Sequence, residues 1–416
     1  MLEVLFSLGL IAVCNHWLLN LNMLIIYFLW SLLNLYEVGE FNLKIIMILL
    51  SFWLVSMMIM SVDLKDKTSD LLIMFKLLLI CLIMVFYSDS MIMFYMWFEI
   101  SVLPVLLIIY GWGYQPDRLE AGFYMIMYTV LFSLPLLIMI FYLDKFIYLN
   151  KGVVILLMFI MAFLVKLPMT GFHFWLPRAH VEAPVYGSMI LAGVMLKLGG
   201  YGLIKVTFFL GDTLFLYSTS FIFYSLLGAL WLSCVCFTQS DMKMLVAYSS
   251  VVHMGIMLSG VLTLKNISIE GAVFMMMGHG LCSSGLFCIL GVTYTRTLSR
   301  SIFLNKGIYT VMPASTLWWF MFCSSNLSFP PSLNLPAEIL LITSIFSYTS
   351  ISWSILILLG FISSMYSIYL FSYTQQGQTS KFFSFCNLSH KENLMMLLHW
   401  VPLNLLILDL SLMTFY

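Results

Sequence analysis

Residues 164–202 read LVKLPMTGFHFWLPRAHVEAPVYGSMILAGVMLKLGGYG, and they decide how the chain is organised. Lys166 stands near the end of one apolar run, and Lys197 lies deep inside the next. Between them runs a Pro-punctuated polar link with His173, Arg178, His180 and Glu182. An ammonium in hydrocarbon costs roughly 2.5–3.5 kcal/mol on insertion scales. Two lysines so close together in apolar sequence therefore need partners or a task, and the surrounding chain has to make them tolerable.

Composition sets the class. Of 416 residues, 62% are apolar and only 9% charged, against about 25% charged in soluble domains. Apolar runs close to the ~20 residues that cross a ~30 Å hydrocarbon core recur from end to end. The fold class is all-α, a polytopic membrane protein. Net charge is zero and no basic block exists, which excludes nucleic acid as a partner.

The eight cysteines form no framework. Most sit in apolar runs, where a thiol acts as a small hydrophobe, and Cys234-Val-Cys236 has no CxxC partner to suggest zinc. His173 and His180 are seven apart with Pro177 between them, which is not a helical metal pair. GxGxxG and P-loop motifs are absent, so no cofactor is expected within this chain. The start, MLEVLFSLGL, lacks signal-peptide and transit-peptide character and reads as the first membrane segment.

Breaking the chain at polar, Gly and Pro clusters gives about fourteen segments: 2–14, 17–36, 41–60, 71–87, 89–110, 120–143, 151–167, 185–208, 214–238, 242–264, 267–292, 308–349, 352–373 and 394–413. Loops after odd-numbered segments hold Lys65, Lys67, Arg118, Arg178, Lys243, Arg296, Arg300, Lys306, Lys381 and Lys391. Loops after even-numbered ones hold Lys44, Lys145, Lys151, Lys205 and Lys265. The excess of basic residues puts the odd side inside and both termini outside. The seventh segment breaks at Leu167-Pro168 and the twelfth at Pro330-Pro331, five segments later. Interrupted helices at corresponding positions of two halves point to a transport site, whereas ordinary proline kinks would give the same pattern without one.

Six ionisable residues lie well inside apolar segments: Glu99, Lys166, Lys197, His253, His279 and Glu338. Four charges at about 3 kcal/mol each would cost roughly 12 kcal/mol, comparable to a domain's whole stability. They must pair, meet water or stay partly neutral, which is the raw material of a proton relay. Pro168 cannot donate to the Leu164 carbonyl, so the end of the first broken half should present free acceptors beside Lys166, at the dipole end that favours a cation. Pro336 is expected near N1 of the second half of the twelfth segment, with Glu338 in its first turn, where the dipole favours an anion. Each residue also has a plain structural reading. Glu99 could bond a neighbouring hydroxyl, Lys166 and Lys76 could snorkel, and either histidine could be a satisfied interhelical hydrogen-bonder. Gly199-Gly200 reads as a flexible point after Lys197, and the link with His173 and His180 as a structural loop.

The runs FYMWFEISVLPVLLIIYGWGYQPDRLEAGFYM, FLVKLPMTGFHFWLPRAHVEAPVYGSMILAGVMLKLGGYG, DMKMLVAYSSVVHMGIM and GHGLCSSGLFC closely resemble the chain 4 family of NADH–ubiquinone oxidoreductase, respiratory complex I. The resemblance covers essentially residues 71–370. It implies an antiporter-like proton-pumping subunit with fourteen helices in the mitochondrial inner membrane, and two inverted five-helix repeats with discontinuous helices 7 and 12. The corresponding regions are 1–70 (helices 1–3), 71–210 (helices 4–8), 211–373 (helices 9–13) and 374–416 (helix 14). It further implies that Glu99 biases Lys166 as its pair, Lys197 links the halves, His253 and His279 lie on the central axis, and Glu338 exchanges protons with the outside. Sister chains 2 and 5 carry lysine at the position of Glu338, which favours chain 4. Partners would be those chains, other membrane subunits and phospholipid, while NADH, FMN, iron–sulfur clusters and ubiquinone would belong to other subunits. Asp241 and Lys243 match a loop motif of the family, whereas TYTRTLSR departs from the usual YERTHSR and loses a Glu and a His. A stand-alone cation/proton antiporter and a structural membrane scaffold are the rival readings.

Overall fold

A computed structural model describes residues 16–38, 43–142, 152–378 and 387–410. The expected first segment, 2–14, lies outside them, as do Lys145, Lys151, Lys381, Cys14 and Cys386. Among the described residues the secondary structure is helical, with one isolated bridge between Asp241 and Ser301. The helices are α1 (Trp17–Val38), α2 (Leu43–Ser61), α3 (Ser69–Tyr87), α4 (Met91–Ile100), α5 (Val102–Trp112), α6 (Arg118–Phe141), α7 (Val153–Lys166), α8 (Trp175–Glu182) and α9 (Val185–Ile190). A π-turn, Leu191–Met195, leads into α10 (Leu196–Cys236). There follow α11 (Met242–Val261), α12 (Asn266–Thr297), α13 (Ile308–Val311), α14 (Pro313–Asn326), α15 (Asn334–Tyr348), α16 (Trp353–Gln375) and α17 (His390–Leu405).

Nine stretches among the described residues are long and apolar enough to cross a membrane. The chain is a multi-pass membrane protein. Helices α4 and α5 form one such stretch, Met91–Trp112, broken at Ser101. The break has a local cause: Pro104 has no N–H for the Ile100 carbonyl, and its ring crowds that group. Helix α10 holds helical bonding for 41 residues, which at 1.5 Å per residue would be about 60 Å, twice a hydrocarbon core. It serves as parts of two crossings, Val185–Gly211 and Leu214–Cys236.

Contacts between helix ends fix the alternation of faces. After odd-numbered segments, Met242 N–H donates to the Arg300 carbonyl at 3.0 Å, Gly307 N–H to Gln376 at 3.2 Å, and Lys391 Nζ to the Val62 carbonyl at 2.9 Å. After even-numbered segments, Lys44 pairs with Asp89, Lys205 Nζ donates to the Ser88 carbonyl at 2.6 Å, and Lys265 Nζ to Ser347 Oγ at 2.7 Å. Odd ends meet odd ends and even ends meet even ends.

Burial separates the axis from the periphery. The apolar window of α12 is wholly buried and that of Val185–Gly211 is 94% buried, against 28% for Ser350–Gln375 on α16, which faces outward. Helix α12 can sit at the centre because it is small along its contact lines. A Cβ at Gly280 would stand 3.2 Å from the Gly193 carbonyl in the π-turn, so two backbones touch there. In apolar surroundings, where the hydrophobic effect does not drive helices together, close small-residue packing does that job. Lys76, read as snorkelling, is instead only 7% exposed.

Candidate functional site: a buried lysine–histidine–glutamate row

Both broken segments are broken in the structure. Helix α7 ends at Lys166, and α8 starts at Trp175, so part of the link read as a loop is a short second half-helix carrying Arg178, His180 and Glu182. The expected free acceptors at the break are already taken. Met169 N–H donates to the Leu164 carbonyl at 3.1 Å and the Trp175 indole to the Val165 carbonyl at 3.0 Å. A buried carbonyl without a partner would cost about 1–3 kcal/mol, so the chain past Pro168 folds back to satisfy both.

Lys166, 3% exposed, ends the first half, where the helix dipole favours its charge. It does not snorkel. Its Nζ donates to the Phe98 carbonyl at 2.8 Å and lies 3.1 Å from the centroid of the Phe98 ring, a desolvated cation–π contact worth about 2 kcal/mol. Glu99 is the next residue, yet its Oε1 is buried without a hydrogen-bond partner, and its carboxyl faces the Ser133 hydroxyl. The two therefore act on each other through space, with the Phe98 peptide between them, rather than as a contact ion pair.

Lys197 is fully buried. Its Nζ donates to the Ala192 carbonyl, five residues back, and meets His279 Nδ1 at 2.9 Å. The π-turn at Leu191–Met195 explains the first bond: its wider winding turns a carbonyl toward a side chain that a regular helix would carry past. The His279 ring is 5.7 Å, centroid to centroid, from His253, and His253 Nδ1 stands 3.3 Å from Glu338 Oε1. Tyr366, fully buried on α16, places its hydroxyl 3.5 Å from His253 Nε2. The row Lys197, His279, His253, Glu338 thus crosses from α10 through α12 and α11 to α15. Its exposure rises along the way, with the Glu338 side chain 22% exposed against 2% for His253.

Helix α15 begins at Asn334, so Pro336 is its third residue rather than its first, and Glu338 its fifth, just past the first turn. The dipole contributes little there, and contact with His253 supports the carboxylate instead. Gly199 is not a flexible point either. It lies inside a regular helix, and a Cβ on it would come 2.9 Å from the Leu167 backbone nitrogen, so glycine lets the break after Lys166 lie directly on the helix of Lys197.

Two contributors escape a reading by residue spacing. His180, set aside as structural, is fully buried and stacked on Phe287 at 4.6 Å with both ring nitrogens unpartnered, within electrostatic reach of Lys197 and Lys243. Tyr366 gave no sequence signal at all, since it sits among many tyrosines of an apolar helix. His173 lies apart, among the rings of Phe174, Trp231 and Tyr248. Among the described residues no group of three or more His, Cys, Asp or Glu is arranged to hold a metal.

With this geometry in place, the relatives can be compared. The family profile described as NADH:quinone oxidoreductase/Mrp antiporter, TM, matches residues 88–367. NADH-ubiquinone oxidoreductase chain 4 of Ceratitis capitata is 45% identical, covering 100% of this chain and 94% of the relative. This chain belongs to the NADH-ubiquinone oxidoreductase chain 4 family. The fold agrees with a chain of respiratory complex I from Thermus thermophilus, at TM-score 0.86 and 20% identity over 97% of this chain and 95% of that one. A chain of the Mrp complex from Dietzia matches at TM-score 0.77 and 17% identity, over 89% and 44%. In this chain 4 family member, Lys166, Lys197, His253 and His279 are buried, while Glu99 and Glu338 are partly so. Four of them join in one row, while Glu99 and Lys166 form a separate group.

Proposed function

We propose that this chain is a core membrane subunit of complex I in the mitochondrial inner membrane and that it translocates protons along the buried row. The observation that carries this reading is the row Lys197–His279–His253–Glu338, in which each member can hold or release a proton: Lys197 meets His279 at 2.9 Å, the two imidazole rings lie 5.7 Å apart, and His253 stands 3.3 Å from Glu338. Glu99 would bias the proton on Lys166 through the Phe98 peptide. Protons would reach Lys197, pass over the two imidazoles, and leave from Glu338, the most exposed member of the row.

In this reading 71–210 and 211–373 act as inverted repeats on a shared axis, and the odd-segment face is the matrix side. Electron transfer from NADH through FMN and iron–sulfur clusters to ubiquinone would take place in other subunits. Chains 2 and 5 would be the membrane neighbours, with phospholipid around them. Lys166→Met and Lys197→Met in the assembled complex test the relay: NADH-driven proton translocation should be lost, and an unchanged proton-to-electron ratio would overturn it.

The likeness to the Mrp complex chain keeps a stand-alone cation/proton antiporter in view. Comigration of the native protein with NADH–ubiquinone activity in a mild-detergent gel distinguishes the two. Proton exchange by a protein that migrates without that activity would favour the antiporter.

A further inference from the structure

On the even-segment face, away from the row, the protein carries a hollow of about 540 Å³. Sites that enclose a small organic molecule measure roughly 300–1,000 Å³. The first turn of α2, part of α10 and the start of α12 frame it. These belong to the crossings Leu43–Ser61, Val185–Gly211 and Asn266–Thr297. The hollow therefore stands where hydrocarbon gives way to the polar headgroup region. Its lining has two characters: Ile204, Phe208 and Ile269 are apolar, whereas Lys44, Lys205 and Glu270 bring charge. Phe208 is 76% exposed, so the apolar part is open to the surroundings.

The charges are arranged as two unlike walls. Lys44 stands in the first turn of α2, where the helix dipole disfavours a cation. It pairs with Asp89, and Lys205 Nζ donates to the carbonyl of the preceding residue, Ser88, at 2.6 Å. The α3–α4 turn thus holds both ammoniums within electrostatic reach of each other and of a single carboxylate. That wall keeps an excess of positive charge. Each ammonium has three N–H donors and uses one in these bonds, so two on each remain for another partner. Glu270, partly buried on α12, makes no ion pair or hydrogen bond among the described residues. It is not among the charges that act on Lys205, which puts it on the other wall. One wall wants an anion, the other a cation, and the lining between them wants hydrocarbon.

We propose that this hollow binds a zwitterionic phospholipid with a primary-amine headgroup, phosphatidylethanolamine. Its phosphodiester sits on Lys44 and Lys205, its ammonium on Glu270, and the start of its acyl chains along Ile204, Phe208 and Ile269. The Glu270 wall selects the headgroup. Phosphatidylcholine brings the same phosphate, but its quaternary ammonium has no N–H to give a carboxylate. An anionic lipid such as phosphatidylglycerol brings no cation, and its phosphate then shares the hollow with an unanswered carboxylate; like charges brought together cost several kcal/mol. An acidic side chain from a neighbouring subunit would answer the lysines and leave both Glu270 and the apolar lining unmet. The bound lipid ties the even ends of α2, α10 and α12 together, and it does so independently of the relay.

The test counts lipid. The assembled complex is purified in mild detergent, washed free of loosely held lipid, and its remaining phospholipids are measured by class with mass spectrometry. Wild type should keep phosphatidylethanolamine, and Lys44→Gln with Lys205→Gln should keep one molecule fewer. Lys306→Gln, which removes a positive charge on the odd face, should keep the wild-type amount. Glu270→Gln leaves the phosphate wall intact and removes the choice of headgroup. In exchange against added phosphatidylcholine, its preference for phosphatidylethanolamine should fall about tenfold, the weight of one charge-assisted hydrogen bond. Ile269→Trp fills the hollow without touching a charge, and it decides the matter if the double variant fails to assemble. It should lose the same molecule, and equal lipid counts in wild type and Ile269→Trp overturn the site. Phosphatidylglycerol retained in place of phosphatidylethanolamine overturns the headgroup. Loss of a neighbouring subunit from the double variant, with its lipid count unchanged, gives the hollow to a protein partner and overturns the proposal as well.

Discussion

His253 on α11 holds its Nδ1 3.3 Å from Oε1 of Glu338 on α15, and this contact gives two separately awkward residues each a partner. The carboxylate stabilises the imidazole in the orientation that leaves Nε2 toward Tyr366. Through the His279 ring, 5.7 Å from His253, the pair adjoins Lys197.

Glu338→Gln removes the acid and keeps the shape. A positioned acid or base contributes about 10²–10⁴ to a proton-transfer step, so translocation by the assembled complex should fall about a hundredfold at this step. Measuring vesicle acidification against NADH oxidation checks it, and wild-type acidification at equal assembly would remove Glu338 from the row.

Tyr366→Phe deletes one neutral hydroxyl at 3.5 Å from His253 while leaving the buried ring in place. The lost bond is worth about 0.5–1.5 kcal/mol, so translocation should slow about 2- to 10-fold with thermal stability nearly unchanged. Loss of assembly instead would assign the tyrosine to packing.

Gly199→Ala puts a methyl group 2.9 Å from the Leu167 backbone nitrogen, an atom that cannot rotate away. Overpacking of this kind costs about 1–3 kcal/mol. The variant complex should melt earlier, and pumping should suffer because Lys166 and Lys197 are pushed apart. Gly360→Ala, where nothing lies within 4 Å, is the matched control and should be silent.

Arg296 pairs with Glu392 through two bonds, at 2.9 and 2.7 Å, while Glu392 also completes the capping box of α17 with Ser389. With both side chains about one-sixth exposed, Arg296→Met should destabilise the docking of α17 by about 1.5–3 kcal/mol. Protease nicking before His390 would report it. A double-mutant cycle with Glu392→Gln should return a coupling of the same sign.

The departure TYTRTLSR is informative in this light. It lacks the Glu and His expected from the resemblance, yet its two arginines are both engaged, Arg296 with Glu392 and Arg300 with Glu182. The segment ties the odd-face ends together without them.

The sequence by itself determined that this is a membrane protein of many helices, where the seventh and twelfth segments break, and which six side chains are out of place in hydrocarbon. These follow from local rules: apolar run length, the missing proline N–H and the cost of a buried charge all act along the chain. Tertiary structure alone decided who meets whom. Lys197 and His279 are 82 positions apart, and nothing local brings them to 2.9 Å; the π-turn before α10 and its glycine contact with α12 do. For the same reason Lys166 found the Phe98 carbonyl rather than the Glu99 carboxylate, and His180 moved from a supposed loop to a buried stack on Phe287. Spacing along a chain says which face of a helix a residue occupies. Only packing says what faces it.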